Sequence, residues 1–186
     1  MRKVFVSNLI SLDNKIARPN GDLDWFMADQ EYFDYTNTEA DRRDLILFGR
    51  VTYEGMASYW TTKEAAETQP EITEQMNSTN KIVFSRSLKS ADWVNTRLVK
   101  DDLVGEIRRL KQQPGKDIAI FGSGTIVSQL TEAGLIDEYQ IVVNPVIIGA
   151  GIPEFSGVTQ TRQLHLVDAK AFKNGVVLLK YELKRD

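Results

Sequence analysis

The sequence predicts an α/β protein with a mostly parallel central sheet, helices on both faces of that sheet and an antiparallel hairpin at the C-terminal end. Three observations predict this fold class. Short continuous apolar runs such as residues 45–48 are typical of strands covered on both faces. These runs alternate with segments that carry helix signals, as in parallel sheets. Asn174-Gly175 separates two alternating segments near the end, which is a strong hairpin signal.

The first half of the chain alternates apolar strand patterns with polar segments. Turn chemistry at Asp13-Asn14-Lys15 and at residues 18–21 follows the first strand. We expect a strand over 3–10, then a helix from about 28 to 43 with one aromatic face. A strand over 45–48 should lead into a short helix. A polar surface segment over 61–80, helical at most, should then precede a strand over 81–84.

The second half continues the alternation and then turns antiparallel. We expect a helix over 102–113, a strand over 118–121, a helix from 122–125 to Gly134, a long strand over 139–148, and hairpin strands over 163–172 and 176–184. The long strand contains Asn144-Pro145, so we expect it to bend there or to lie near an edge of the sheet.

Composition and charge exclude several classes of protein. The 186 residues, 42% of them hydrophobic, contain no repeat or linker, so we expect one domain over residues 1–186. The 23 Lys and Arg are interspersed with 26 Asp and Glu, so no basic face for nucleic acid is expected. Without Cys and with a single His, the chain predicts no metal site. It has no apolar stretch near the ~18 residues of a membrane span and no signal pattern, so we expect a cytoplasmic protein without a membrane partner.

Three predicted strands end in small or polar residues that begin a helix or a turn. These ends are residues 49–52, 85–87 and 122–125. The ends of parallel strands lie along one edge of a sheet, where ligands bind in open α/β folds. Helix starts offer free backbone N–H groups and a positive dipole end to an anion. The sequence therefore predicts a site for a phosphate-bearing ligand, for which a nucleotide fits well.

Each of these segments has a simpler interpretation when taken alone. Glycines at strand-to-helix junctions often only relieve tight turns, and Arg86 alone is more often a solvated side chain. Val127 breaks the dinucleotide fingerprint that Gly122-Ser123-Gly124 would begin, and no P-loop exists. His165 belongs to an alternating run, which favours a surface-facing strand residue over a catalytic one. The ligand-site hypothesis depends on convergence of the three segments.

Five segments together resemble the dihydrofolate-reductase-like superfamily, in particular stand-alone relatives of the reductase domain in the bifunctional riboflavin-pathway deaminase-reductase. They are residues 11–17, 47–54, 83–87, 121–125 and 144–153, in family order. The Gly-Arg-x-Thr-Tyr-Glu pattern within the second is fairly specific, and the others are weak singly.

The resemblance implies an NADPH site built from three groups of residues. Gly49, Arg50 and Thr52 would lie beside the dinucleotide phosphates, Ser85, Arg86 and Ser87 would bind the ribose 2′-phosphate, and Gly122, Ser123, Gly124 and Thr125 would surround the pyrophosphate. Serine hydroxyls and a guanidinium suit a dianionic phosphate, through charge-assisted hydrogen bonds of about 1.5 to 3 kcal/mol.

The substrate is the least determined part of the resemblance. Dihydrofolate reductases have a carboxylate five residues after the first-loop tryptophan, whereas here Gln30 occupies that distance from Trp25. We expect Asp24 and Trp25 to contact the substrate, through carboxylate hydrogen bonds and ring stacking, although Trp25 is equally explained as a packed aromatic. Asp24 and Glu154 are the candidate catalytic residues, but no proton donor is identified and water is an alternative.

The activity implied is that of an NADPH-dependent reductase of a small heterocycle, resembling 5-amino-6-(5-phosphoribosylamino)uracil reductase. Reduction of dihydrofolate or another pterin, and NADP binding without turnover, are the alternatives. The zinc signature of the deaminase half is missing, so only the reductase activity carries over. Relatives in this family are often homodimers, and the apolar strand 139–148 would offer a surface, so we expect a homodimer.

Overall fold

The computed structural model describes residues 1–27 and 29–184. The strands are β1 (Val4–Ser11), β2 (Lys15–Ala17), β3 (Arg43–Gly49), β4 (Asn80–Phe84), β5 (Thr96–Val99), β6 (Asp117–Phe121), β7 (Glu138–Asn144), β8 (Ile152–Pro153), β9 (Leu164–Ala171) and β10 (Val177–Leu183). The helices are α1 (Gln30–Ala40), α2 (Arg50–Trp60), α3 (Lys63–Thr68), α4 (Pro70–Ser78), α5 (Leu103–Lys111) and α6 (Gly124–Glu132).

Eight strands form one sheet in the order β5-β4-β3-β6-β1-β7-β10-β9. The strands from β5 to β7 pair in parallel, whereas β10 pairs antiparallel with both β7 and β9. This architecture confirms the predicted fold class, including the C-terminal hairpin. A separate two-stranded sheet joins β2 to β8.

Helices cover both faces of the sheet. On one face, α5 and α6 contribute Ile107, Val127 and Leu130 to a core with the apolar side chains of β1, β3 and β6. On the other face, α2 and α4 pack against β3 and β4, and α1 packs through Tyr32 against β7 and β10. Successive side chains along each strand point to opposite faces of the sheet, so the same apolar runs contribute to both cores.

Several predicted elements differ from the structure. The first helix begins at Gln30 and ends at Ala40, and Ala28, its predicted start, lies outside the described residues. The polar segment 61–80 forms two helices, and α4 buries Met76 in the core. Strand β5 and the β2–β8 pair were not predicted, because four-, three- and two-residue strands carry almost no periodic signal.

The prediction for strand 139–148 was wrong in two respects. Strand β7 ends at Asn144, where the side-chain oxygen accepts a hydrogen bond from the Met27 backbone at 3.0 Å. It lies between β1 and β10 and is almost wholly buried, so it is neither near an edge nor a free apolar surface. At this end of the sheet the edge strand is β9, where Leu166 and Val167 are exposed.

No helix within residues 1–27 and 29–184 has the length and apolar character that crossing a bilayer requires.

Arg42 joins the end of α1 to the sheet. Its guanidinium donates to both carboxylate oxygens of Glu138, at 2.8 and 2.7 Å, and to Asp117 at 2.9 Å and Glu39 at 3.2 Å. Burial raises the pKa of Glu138, but hydrogen bonds from Arg42 and Gln140 outweigh burial, so the pKa lies below its ordinary value. Glu138 therefore stays ionised in the core because Arg42 is present.

Arg42→Met is expected to lower the free energy of unfolding by roughly 3 kcal/mol, because Glu138 is left buried without its charge partner. Urea unfolding at neutral pH measures the loss. The loss should shrink as the pH falls through the range in which Glu138 protonates, since a neutral carboxyl needs no cation. Arg108→Met, which removes an exposed guanidinium from α5, is the control, and equal effects of the two substitutions would contradict this role of Arg42.

Candidate functional site

A large cavity of about 1550 Å³ opens on the sheet face that α1, α2 and α4 cover. Its lining includes the residues that follow β3, β4 and β6, namely Gly49 to Thr52, Ser85 and Arg86, and Gly122 to Thr125. The three segments expected to converge therefore line one cavity. The carboxyl ends of parallel strands bring them there, as the strand order requires.

Ser123 joins two helix starts at this edge. Its hydroxyl accepts a hydrogen bond from the Gly49 backbone N–H at 2.7 Å, and its own backbone N–H donates to the Thr52 hydroxyl at 3.0 Å. Gly49 precedes α2 and Ser123 precedes α6, so the N-terminal ends of both helices are held against each other. Both helix dipoles present their positive ends at this edge of the cavity.

The glycine between β6 and Ser123 is required by this arrangement. Gly122 has a φ of +58°, in the left-handed region, and a Cβ there would lie 2.9 Å from the Thr52 Cγ2. Any other residue would push Thr52 away from the Ser123 N–H. The backbone after β6 thus stays close to α2 and leaves its surface open to a ligand.

The two rim arginines are largely solvated. Arg50 pairs with Glu54 at 2.8 Å, and Arg86 pairs with Asp101 at 3.0 Å, with 84% of the Arg86 side chain exposed. Such exposed pairs contribute little stability, so either guanidinium can exchange its partner for a ligand anion at small cost. Ser85 accepts hydrogen bonds from the backbone of Ser87 and Leu88. Ser87 is adjacent to the cavity lining but does not belong to it.

The two residues predicted to contact the substrate, Asp24 and Trp25, lie in different environments, and both are outside the cavity lining. Asp24 is exposed and forms an ion pair with Arg18 at 2.5 Å, and Trp25 is buried, with an indole Nε1 that has no partner among the described residues. Neither lines the cavity, whereas their neighbours Leu23 and Phe26 do. The roles of Asp24 and Trp25 stay predictions that this arrangement does not support.

Glu154 lies fully buried behind the cavity wall. Its Oε1 accepts a hydrogen bond from the Asn8 side chain at 2.7 Å, and its Oε2 has no partner within residues 1–27 and 29–184. Burial raises the pKa of Glu154 to about 7, and the hydrogen bond from Asn8 opposes this shift only partly. The carboxyl is therefore partly protonated at neutral pH.

Asn8 links Glu154 to the glycine segment. The Asn8 amide donates to the Gly122 carbonyl at 3.1 Å, and the Gly122 N–H donates to the Asn8 carbonyl oxygen at 2.7 Å. Asn8 lines the cavity, which the sequence did not reveal, because a single Asn within an apolar strand carries no local signal. Glu154 therefore contacts the glycine segment only through Asn8, and its role as a candidate catalytic residue stays a prediction.

A second group of lining residues is mostly apolar and aromatic, and we call it the aromatic lobe. It consists of Met56, Tyr59, Trp60, Ile72, Met76 and Phe121, with Arg43 beside it. The rings of Tyr59 and Trp60 meet edge to face, with centroids 4.9 Å apart. Sequence reasoning missed this lobe, because its residues come from α2, α4 and β6 and only the fold brings them together.

Comparison with known proteins shows the family of this chain. The family model described as the RibD C-terminal domain matches residues 2–178. YyaP of Bacillus subtilis strain 168, described as uncharacterized, is 31% identical over 182 residues, which cover 97% of this chain and 94% of YyaP.

Two solved structures share the fold at lower identity. A putative riboflavin biosynthesis protein from Shewanella sp. PV-4 has a TM-score of 0.77 at 22% identity, with 98% of this chain and 99% of that chain covered. The diaminohydroxyphosphoribosylaminopyrimidine deaminase/5-amino-6-(5-phosphoribosylamino)uracil reductase of Thermotoga maritima has a TM-score of 0.71 at 18% identity, with 98% of this chain but 57% of that chain covered. The match over residues 2–178, on a chain with this sheet and these glycine segments, means that the protein belongs to the RibD C-terminal domain family.

Proposed function

We propose that this protein is an NADPH-dependent oxidoreductase that reduces a small heterocyclic compound. The observation that carries the proposal is the junction at Ser123, which aligns the N-terminal ends of α2 and α6 at one wall of the cavity. Paired helix starts with a close-approaching glycine backbone are suited to the phosphates of a dinucleotide. Membership of a family of reductase domains supports the same conclusion.

The donor set fits NADPH over NADH. Ser85 and Arg86 lie at the rim of the cavity, after β4, and combine a hydroxyl with an exposed guanidinium. A ribose 2′-phosphate is a dianion, for which such a pair is the ordinary protein ligand. NADPH supplies a hydride when bound, and the residues of this chain bind it, orient it and exclude water.

The proposed substrate is a flat ring of the pyrimidine class. The Thermotoga protein is named for reduction of an aminouracil, and the Shewanella protein for riboflavin biosynthesis. In this chain Phe26, Tyr32 and Phe33 line the cavity beside α1, and aromatic walls favour planar ligands. A pterin is the alternative substrate, disfavoured by Gln30 at the position where dihydrofolate reductases have a carboxylate.

Turnover is tested by mixing the protein with NADPH and either an aminouracil ribosyl phosphate or a dihydropterin, and following the loss of NADPH absorbance. Oxidation that depends on the aminouracil compound is the expected result. Tight NADPH binding with no oxidation by either acceptor would favour the alternative of a non-catalytic NADP-binding module, and no binding of NADPH would end the proposal.

Arg86→Ala is expected to weaken NADPH binding by roughly 10- to 100-fold while changing NADH binding little, because only NADPH has the 2′-phosphate. Fluorescence titration with each cofactor measures both affinities. Arg108→Ala, on the opposite face of the sheet, should change neither. Equal weakening of NADPH and NADH would remove Arg86 from the 2′-phosphate site.

Glu154→Gln is expected to flatten the dependence of stability on pH. The pKa of Glu154 is raised from 4.5 to about 7, so the folded protein retains a proton that the unfolded chain releases. Wild-type stability should therefore fall as the pH rises from 4.5 to about 7. The expected loss is roughly 3 kcal/mol, at about 1.36 kcal/mol per pKa unit.

The neutral amide introduced by Glu154→Gln still accepts the Asn8 hydrogen bond and does not titrate. Urea unfolding of both proteins from about pH 4.5 to about pH 8 makes the comparison. The variant should gain stability over the wild type as the pH rises, and parallel curves would show that Glu154 titrates normally.

We propose a homodimer, although its predicted interface on strand 139–148 was wrong. The sheet has two edge strands, β5 and β9, and on β9 Leu166 and Val167 are each more than half exposed. Light scattering should report twice the 21.1 kDa of one chain. A monomer mass at high protein concentration would contradict the proposal.

A further inference from the structure

Two neighbouring arginines at the start of β3 have opposite electrostatic environments. Arg42 is saturated by three carboxylates. Arg43 forms no side-chain hydrogen bond or ion pair with any residue in 1–27 or 29–184, and its Nε is buried without a partner there. The acidic side chain that acts on it from a distance is Glu39, which already binds Arg42, Gln140 and Lys180.

A β-bulge directs Arg43 into the cavity. The pairing of β3 with β6 shifts register between Arg43, opposite Asp117, and Leu45, opposite Ile118. Leu45 then packs in the core under α5 and α6, whereas the Arg43 guanidinium lies 5.1 Å from the centre of the Phe121 ring, on the other face. Bulges of this kind re-aim one side chain without disturbing the rest of a strand.

The surroundings of Arg43 make an unpaired charge unfavourable. Burial lowers the pKa of Arg43, and the neighbouring aromatic lobe offers ring faces and thioethers but no carboxylate. A cation partly removed from water gains strongly from an anion that can reach it, and a guanidinium binds a planar oxyanion through two donors. An anion that enters through the cavity would therefore supply the partner that the described residues do not.

The backbone of Arg43 lies at the other end of β3 from the segment proposed to bind the cofactor phosphates. Arg43 begins β3 and Gly49 ends it, and six residue steps of an extended strand span about 20 Å. Trp60 of the aromatic lobe ends α2, which is 11 residues long, and so lies far from the helix start that faces the phosphates. The backbone of Arg43 and Trp60 thus lie toward the end of the cavity away from the start of α2, whereas the Arg43 guanidinium reaches along the sheet to Phe121, the residue before Gly122.

We propose that Arg43 is the specificity-determining residue of the acceptor site, and that it selects substrates carrying a carboxylate or phosphate group next to an apolar or aromatic portion seated in the aromatic lobe. The proposal rests on the proposed function, because only a reductase has an acceptor site, but anion binding at Arg43 does not require NADPH. Two buried amide oxygens in the same cavity, on Asn37 and Gln69, lack donors among the described residues and would accept N–H groups of the same molecule.

The test compares three probes of similar shape and different charge: benzoate, phenyl phosphate and neutral benzamide. Their affinities are measured by calorimetry on the wild-type protein without cofactor. We expect at least one anionic probe to bind roughly 10- to 100-fold more tightly than benzamide, as gain of one charged hydrogen-bonded pair requires. Preference for benzoate assigns a carboxylate, and preference for phenyl phosphate assigns a phosphate.

Variants locate the site of this preference. Arg43→Gln should abolish the advantage of the anionic probe and leave benzamide unchanged, while Arg43→Lys should retain part of it. Arg86→Ala and Arg108→Gln, which remove guanidiniums at the phosphate end and on the opposite face, should keep the advantage. Because the Arg43 side chain makes no hydrogen bond within the described part of the chain, Arg43→Gln should unfold at the same urea concentration as the wild type or a higher one.

The proposal is overturned if the wild type binds benzamide as tightly as both anions, or if the anion preference survives Arg43→Gln; loss of the preference in Arg86→Ala would place it at the phosphate end instead. NADPH affinity is titrated separately in the same proteins. Normal anion selection with no NADPH binding would refute the proposed function and leave the role of Arg43 intact. Normal NADPH binding with no anion selection would refute the role of Arg43 and leave the proposed function intact.

Discussion

The site depends on one constraint, that two helices beginning at adjacent strands must start against each other without blocking their free N–H groups. Ser123 meets it by accepting from Gly49 and donating to Thr52, so one residue bridges both helix starts. A larger side chain at Gly122 would break the contact with Thr52. The orientation of the cavity edge, and hence of any dinucleotide there, follows from this short network.

Behind that edge, the protein buries a carboxyl group, which is unfavourable for stability. Glu154 is buried, one of its oxygens has no partner in the described ranges, and its contact with the rest of the site runs through Asn8 to Gly122. A neutral residue would serve stability better above the pH at which Glu154 ionises. The Glu154 carboxyl and the Asn8 amide orient each other and so fix the position of the glycine segment. This fixed position offsets the loss of stability, because a site that binds pyrophosphate needs a rigid backbone there.

The sequence predicted what depends on local pattern. Apolar runs indicated the parallel strands, Asn174-Gly175 indicated the hairpin, and glycines after β3 and β6 indicated the edge where the segments meet. It could not predict features that arise from distant pairing. The interior position of β7 is decided by β10 closing against it, and the aromatic lobe is assembled from three elements. Asp24 carried the right chemistry but pairs with Arg18 outside the cavity.

Arg42 and Arg43 show why residue type alone does not identify a functional group. Arg42 directly precedes β3 and Arg43 begins it, yet Arg42 meets three carboxylates and Arg43 meets none within residues 1–27 and 29–184. The pairing of β3 with β6 shifts register after Arg43, and the Arg43 guanidinium lies over Phe121, whereas Arg42 reaches acidic groups of α1, β6 and β7. The guanidinium of Arg42 is satisfied within the fold, whereas the half-buried guanidinium of Arg43 has no anionic partner in the described part of the chain and faces the cavity, where the anion of a ligand can reach it. The unsatisfied arginine is therefore the stronger indication of what this cavity binds.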